Sequence, residues 1–513
     1  MEESRVKNAS RNFLSSALGN IINLILSFIC RTIFIRFLGT GPLGVNSLFT
    51  NILGMLSFAE LGIGSAISFS LYKPIAEKNE EKISAIINFY KYAYRIVACV
   101  VVTAGIILIP FLKYIVKGVD SVNIYLIYLI FLFNTVSSYF IIYKTTLISA
   151  NQKEYILTNT ESIRKMMTNI IQIGVIIKFK SFVLYVVTDS ISLLISKIYL
   201  NIKTERMYPF LKQYKNEKID DKTKKGILNK IKALIYHKVG EVSIYQTDNI
   251  ITSAFINTNI VGLVSNFTMI IDYVNKFMLS FFNSAVAGLG NIIATEKKEK
   301  QLEISKAYDL LGFIFYGWST LCLCFLLKPF ITLWIGSDKL IDDATILLLC
   351  ISYYLTGIRV PLGNVKAAAG IYEQDKWVPI IQSVTNIVIS IIGVKILGLK
   401  GVYIGTIISG LVPCLIRPVI VYKYVFSTSP VQYFEEFFKR LILMTFLILI
   451  LTLGFSKTAI NNLILCMMVY FIIITIVFGI LIIFFYKNTN EYKYLKEKFI
   501  ITIKKVKNKW KKN

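Results

Sequence analysis

Fourteen apolar stretches, each about 20 residues or longer and parted by short polar breaks, run through almost the whole chain. An α-helix rises 1.5 Å per residue, so about 20 apolar residues cross the ~30 Å of hydrocarbon in a bilayer. Membrane-spanning β-strands would read as alternating segments of about 10 residues, which these continuous runs are not. The pattern therefore predicts an all-α polytopic membrane protein with 14 transmembrane helices. The spans lie near 12–38, 43–72, 84–111, 122–149, 155–178 and 181–202, then 234–256, 260–293, 304–335, 341–369, 375–397 and 401–424, with a further pair at 437–455 and 460–486. Composition agrees: 55% hydrophobic residues, 17% charged residues and a mean hydropathy of +0.62 place the chain in the membrane class.

The first twelve spans form two halves that repeat each other. LGVNSLFTNIL, from Leu43 to Leu53, aligns with VGLVSNFTMII, from Val261 to Ile271, at an offset of 218 that matches Gly44 to Gly262, Ser47 to Ser265, Phe49 to Phe267 and Thr50 to Thr268. Tyr90 falls on Tyr308 at the same offset, and after one inserted residue Pro110-Phe111 meets Pro329-Phe330. Six spans per half is an even number, so the repeats are parallel and related by an axis along the membrane normal. The expected domains are an N-terminal six-helix lobe at 1–203, a basic cytoplasmic linker at 204–232 and a C-terminal six-helix lobe at 233–426. The extra helices 13 and 14 occupy 427–486, and a basic tail fills 487–513. The two lobes are expected to be related by a pseudo-twofold and to face each other across a cavity.

A net charge of +27 raises nucleic acid as a partner, and the placement of the charge argues against it. Lys and Arg crowd alternate loops: Arg5, Lys7 and Arg11, then Lys73, Lys78 and Lys82, the run from Lys203 to Lys232, and the tail from Lys487 to Lys512. The other loops hold few. By the positive-inside rule both termini are cytoplasmic, and the basic excess faces the anionic inner leaflet of the cell membrane. The tail EYKYLKEKFIITIKKVKNKWKKN reads as an interfacial amphipathic helix or as a solvated tail.

Catalytic and metal chemistry find no residues here. No phosphate-cradling G-x-x-x-x-G-K-[ST] loop occurs. The single histidine, His237, opens the seventh span and reads as structural, and the seven cysteines lie in predicted spans as small apolar fillers. No cofactor is expected, and any energy input is left to a Na+ or H+ gradient, the membrane potential or the substrate. A membrane-embedded polymerase or ligase, the alternative from another class, would need a large external loop. The longest loop here is the internal one.

The informative residues are the ionisable ones placed deep in spans, where a charge costs at least ~2.5 kcal/mol and faces a bundle interior or a wet cavity. Glu60, Arg95, Asp189, Asp248, Asp272, Lys276 and Arg359 are deep, as is Arg31 in the outer half of the first span. Arg36, Lys197, Lys366 and Arg417 stand close enough to span ends to snorkel. Asp272 and Lys276 share a helix face at i, i+4 and either neutralise each other or serve separately. Arg31 and Asp248, 217 apart against the repeat offset of 218, are expected on facing helices. Glu60, Asp248 and Asp272 are the candidates for coupling to a cation. Gly62 and Gly64 beside Glu60 permit bending or close packing.

The stretch from Arg31 to Asn79, above all LGVNSLF and AELGIGSAISFSLYKP, resembles the opening of the polysaccharide repeat-unit (O-antigen or capsule, Wzx-type) flippases of the multidrug/oligosaccharidyl-lipid/polysaccharide (MOP) exporter superfamily. The topology extends that resemblance over the chain, including two helices after the twelfth. It implies a MATE-like fold that moves undecaprenyl-diphosphate-linked oligosaccharides from the inner to the outer leaflet by alternating access, with a polysaccharide polymerase as partner. The related lipid II flippases use basic residues in the first and eighth spans, to which Arg31, Arg36 and Lys276 correspond. Arg359 joins them as a substrate-binding candidate on depth alone. Where those flippases carry a basic residue in span two, this chain has Glu60. A lipid II flippase and a cation-coupled multidrug antiporter, which normally stops at twelve spans, are the alternatives within the superfamily.

Overall fold

A computed structural model describes Gly19 and residues 22–60, 63–119, 122–456 and 462–510. Every regular element among them is helical. The chain packs as two compact units, Met1–Gly262 and Leu263–Asn513. The first contains α1 (22–38), α2 (Thr40–Leu56), α3 (Ile63–Ala76), α4 (Glu80–Leu108), α5 (Ile124–Tyr139), α6 (Ile142–Ala150), α7 (Glu154–Phe179), α8 (Phe182–Met207) and α9 (Asp221–Phe255). α10 (Thr258–Asn283) begins in that unit. The second continues with α11 (Val286–Thr295), α12 (Lys298–Ile335), α13 (Asp343–Ile358), α14 (Val360–Ala368), α15 (Val378–Leu397), α16 (Leu399–Val421), α17 (Val431–Phe455), α18 (Leu463–Tyr486) and α19 (Asn490–Trp510).

Polar side chains at the helix starts take up backbone N–H groups that have no partner inside the helix. Asn79 accepts from the Lys82 N–H at 2.8 Å to open α4, Asp220 from that of Thr223 at 2.7 Å to open α9, and Asp342 from that of Thr345 at 3.1 Å to open α13. Several helix starts keep the offset read from the sequence. α2 and α10 start at Thr40 and Thr258, and α4 and α12 at Glu80 and Lys298, both pairs 218 apart, while α5 and α13 start 219 apart at Ile124 and Asp343. The single inserted residue read from the sequence lies between the last two pairs.

Nine helices among the described residues are long and apolar enough to cross a bilayer, and a tenth candidate is α5 with α6, bent by 49°. The chain is a multi-pass membrane protein. Four expected spans fall outside this set for physical reasons. Residues 12–18 of the first lie outside the described residues. The second is interrupted: α2 stops at Leu56, a 3₁₀ turn covers Ser57–Glu60, and α3 starts at Ile63. The fifth, α7, carries Glu161, Arg164 and Lys165 within its length, and the seventh is the end of α9, which is continuous with the charged linker.

Close packing replaces hydrophobic contrast as the cohesive device between helices in lipid. A Cβ on Gly44 would sit 2.0 Å from the Thr258 carbonyl oxygen, and one on Gly262 2.0 Å from that of Thr40. Gly44 and Gly262, and Thr40 and Thr258, stand 218 apart, and the contact within the first unit is reciprocal. In the second unit α15 and α16 press together at Gly393 and Gly401, where a Cβ on Gly401 would lie 1.9 Å from the Gly393 carbonyl oxygen. The tail is helical: α19 packs along α12, and the Lys300 and Lys498 ammonium groups lie 5.6 and 5.3 Å from the Tyr494 ring centroid.

Candidate functional site

In the first unit a polar cavity of about 280 Å³ lies among α1, α2, α5, α7 and α8. Its charged centre is Arg164 on α7. The Arg164 guanidinium grips Glu161, one turn back, through Nε (2.9 Å) and Nη2 (2.8 Å), and reaches Asp189 of α8 and Ser192 through Nη1 at 2.8 and 3.2 Å. Lys165 lies 3.5 Å from Glu161. With both carboxylates engaged, one guanidinium uses most of its five donors in a charge-assisted fork. Deeper in the helix layer, Lys197 donates to the Asn134 carbonyl (3.1 Å) and to Ser137 Oγ (2.9 Å) and is 9% exposed.

The second unit holds two further charge clusters. Asp309 of α12 pairs with Arg440 of α17, whose guanidinium also faces the rings of Phe313 and Tyr486 at 5.3 and 5.9 Å. The pair borders a cavity of about 260 Å³ whose wall includes Glu435, Glu436 and Glu491. Asp375, fully buried, is held by Lys366 on one side and by Arg417 Nε at 3.2 Å on the other. Each cluster pairs opposite charges inside the unit without cancelling them, one carboxylate against two cations at Asp375 and one guanidinium against Asp309 and Glu436 at Arg440.

The candidates from the sequence are distributed as follows. Arg31 is half-buried on α1, and its charge reaches Tyr185 on the wall of the first cavity. Arg36, on the same helix, is exposed. Glu60 ends the 3₁₀ turn that breaks the second span, within reach of Tyr94 and Tyr139, whose rings stack 6.2 Å apart. The interruption lies beside the glycines read as permitting bending or close packing, of which Gly62 falls outside the described residues. Asp248 is half-buried on α9, beside Gln246 and Asn249, both of which hydrogen-bond Asn51 of α2. Asp272 and Lys276 share a face of α10 and feel each other's charge, while the Lys276 ammonium stands 5.4 Å from the Tyr273 ring centroid. Arg359 occupies the break between α13 and α14, with Nη2 at 3.4 Å from Thr356 and Nη1 buried without a partner.

Three residues expected to snorkel end on internal partners instead, Arg417 on the buried Asp375. Lys197 and Lys366 are 9% and 8% exposed and end on internal partners, because Asn134, Ser137 and Asp375 satisfy their ammonium groups more closely than the membrane interface would. Arg164 and Asp309 escaped the sequence reading. The i, i+3 spacing of Glu161 and Arg164 was a usable signal. Asp309 and Arg440, 131 residues apart, give none.

No protein-family model matches the chain, and no curated protein matches it in sequence. Solved structures do match in fold. The chain is similar to a lipid II flippase, MurJ, in an inward closed conformation, with a TM-score of 0.61 and 16% identity over 91% of this chain and 99% of that one. An inward-facing multidrug resistance MATE family transporter of the MOP superfamily gives 0.57 and 16% over 81% and 99%. The Vibrio cholerae MATE transporter VcmN, as a mutant, gives 0.54 and 16% over 83% and 100%. The fold is that shared by MurJ and the MATE transporters.

Proposed function

We propose that the chain is a MOP-type flippase that carries undecaprenyl-diphosphate-linked oligosaccharide repeat units from the inner to the outer leaflet of the cell membrane. One observation carries the flippase part of this reading over an antiporter: the likeness to a lipid flippase covers 91% of the chain, against 81% for a MATE transporter, and the difference is close to the size of α17 plus α18, while the repeat-unit substrate rests on the resemblance of residues 31–79. A diphosphate headgroup bearing sugars cannot cross hydrocarbon unaided, and arginine offers it paired, charge-assisted hydrogen bonds. In this reading Arg31, Arg36, Lys276 and Arg359 hold the diphosphate, and Glu60, Asp248 or Asp272 binds the driving Na+ or H+. Fourteen spans with both termini in the cytoplasm complete it.

A hydrogen bond to a charged group is worth ~1.5 to 3 kcal/mol, so Arg31→Ala is expected to weaken binding of the lipid-linked glycan roughly ten- to a hundredfold. Arg31→Lys keeps charge without the planar fork and should recover part of the loss. Recovery of transport in the Arg31→Ala, Asp248→Asn double variant, after loss in each single one, would instead assign Arg31 to balancing Asp248. The MurJ likeness favours lipid II flipping as a second reading. Rescue of bacteria depleted of their own lipid II flippase decides for it, and failure to rescue together with glycan binding decides for the first.

A further inference from the structure

α7 carries a polar stripe inside what would be the hydrocarbon layer. Lys165, Thr168, Asn169 and Gln172 recur at helical spacings of three and four, on one side of the helix, and all border the 280 Å³ cavity of the first unit. Opposite them stand Asn46 and Thr50, one turn apart on α2 and both within the LGVNSLFTNIL segment. Polar groups at this depth need partners, and part of that need is met internally: Asn169 Nδ2 donates to Ser27 Oγ at 3.2 Å, Gln172 Nε2 to the Tyr185 carbonyl at 3.0 Å and Thr168 Oγ1 to Ser192 Oγ at 2.7 Å, while the Asn46 amide and the remaining acceptors face the cavity. The cavity has the dimensions for one pyranose ring with its hydroxyls.

The charge balance says which ligand suits it. Arg164 is engaged by Glu161 and Asp189, and with Lys165 these four groups sum to zero. The charged side chains of the lining are thus balanced by Glu161, and Lys197 behind Asn134 is taken up by the Asn134 carbonyl and Ser137 Oγ. The cavity offers amides and hydroxyls. Asn134 Nδ2 donates to Ser190 Oγ at 2.8 Å, leaving its Oδ1 buried without a donor, and the rings of Phe131 and Tyr185 supply flat apolar wall. Convergent donors and acceptors beside an aromatic face match a neutral polyhydroxyl group. Arg31, whose charge reaches Tyr185, stands beside this wall.

We infer that this cavity receives an uncharged sugar unit of the lipid-linked glycan while the diphosphate is held outside it. The inference rests on the flippase reading and assigns the part of the substrate that the first unit recognises.

The test compares binding of two probes to the full-length protein in lipid nanodiscs: undecaprenyl diphosphate bearing an uncharged trisaccharide, and undecaprenyl diphosphate alone. The native protein is expected to bind the glycosylated lipid about tenfold or more tightly than the bare one, the discrimination of one or two well-made hydrogen bonds. Asn46→Leu and, separately, Asn134→Leu should bring the glycosylated lipid to within about twofold of the bare lipid. Equal binding of both probes by the native protein would overturn the sugar assignment and leave the flippase reading standing. Binding of neither would sink both. Equal weakening of both probes by both variants would make these residues structural, and unchanged discrimination with an altered Na+ or H+ dependence of transport would make the cavity an ion site; either result refutes the inference.

Discussion

A Cβ placed on Gly44 would lie 2.0 Å from a backbone oxygen, which cannot swing aside as a side chain can. Gly44→Ala is therefore expected to destabilise the protein by roughly 1 to 3 kcal/mol, the range of overpacked sites, with the same effect at Gly262. Gly174 is the control: a Cβ there meets nothing within 4 Å, and Gly174→Ala should be neutral or gain up to ~1 kcal/mol of helix propensity. Thermal unfolding in detergent measures both, and equal midpoints would contradict the account. Asp375→Asn strands Lys366 and Arg417 without their counter-charge and is expected to cost about 3 to 5 kcal/mol by the same measurement. The contrast between these sites marks the limit of sequence reasoning at this scale. Gly44 and Gly262 were matched by the repeat, because duplication writes the same glycine twice. Asp375 gave no sign, because its partners arrive from different helices and pairing at such distances leaves no local pattern.

Hydropathy locates helices and is blind to which face of them is wet. It read 155–178 as a span, whereas α7 carries Glu161, Arg164 and Lys165 within that stretch, and the partners of the Arg164 clamp lie on α8. It read 43–72 as one span, whereas the chain breaks at Ser57–Glu60, where Gly62 and Gly64 were the legible warning. Helix starts were not legible from hydropathy either: the span read at 234–256 is the end of a helix that starts at Asp221, in the charged linker. At the start of α9, Asp220 accepts hydrogen bonds from the Thr223 side chain and backbone, and these hold its carboxyl below the ordinary carboxylate range. A carboxyl depressed in the folded state contributes stability above its unfolded pKa near 3.9 and loses it as pH falls through the folded value. Hydrogen-exchange protection at the start of α9 should therefore be steady at neutral pH, fall below about pH 4, and be reduced at all pH values in Asp220→Ala. Protection that ignores both acid and the substitution would show that the cap does not hold this turn.

By the positive-inside rule the distribution of basic residues predicts α9's linker inside and the loop after α4 outside. An impermeant thiol reagent added to intact cells should label Lys117→Cys, an exposed site in that outer loop, and spare Lys215→Cys in the linker. The reverse pattern would invert the assignment. The all-helical, multi-span fold class was legible from the sequence because apolar spans extend over tens of residues. The substrate was not, since it depends on a few side chains whose neighbours the sequence does not reveal. Translocation itself tests the central claim most directly. Purified protein in liposomes should move a fluorescent undecaprenyl-diphosphate-linked oligosaccharide from a protected inner leaflet to one reached by an impermeant quencher, and leave a labelled phospholipid where it was. Quenching no faster than in protein-free liposomes, or equal transfer of the phospholipid, would contradict a lipid-linked glycan flippase.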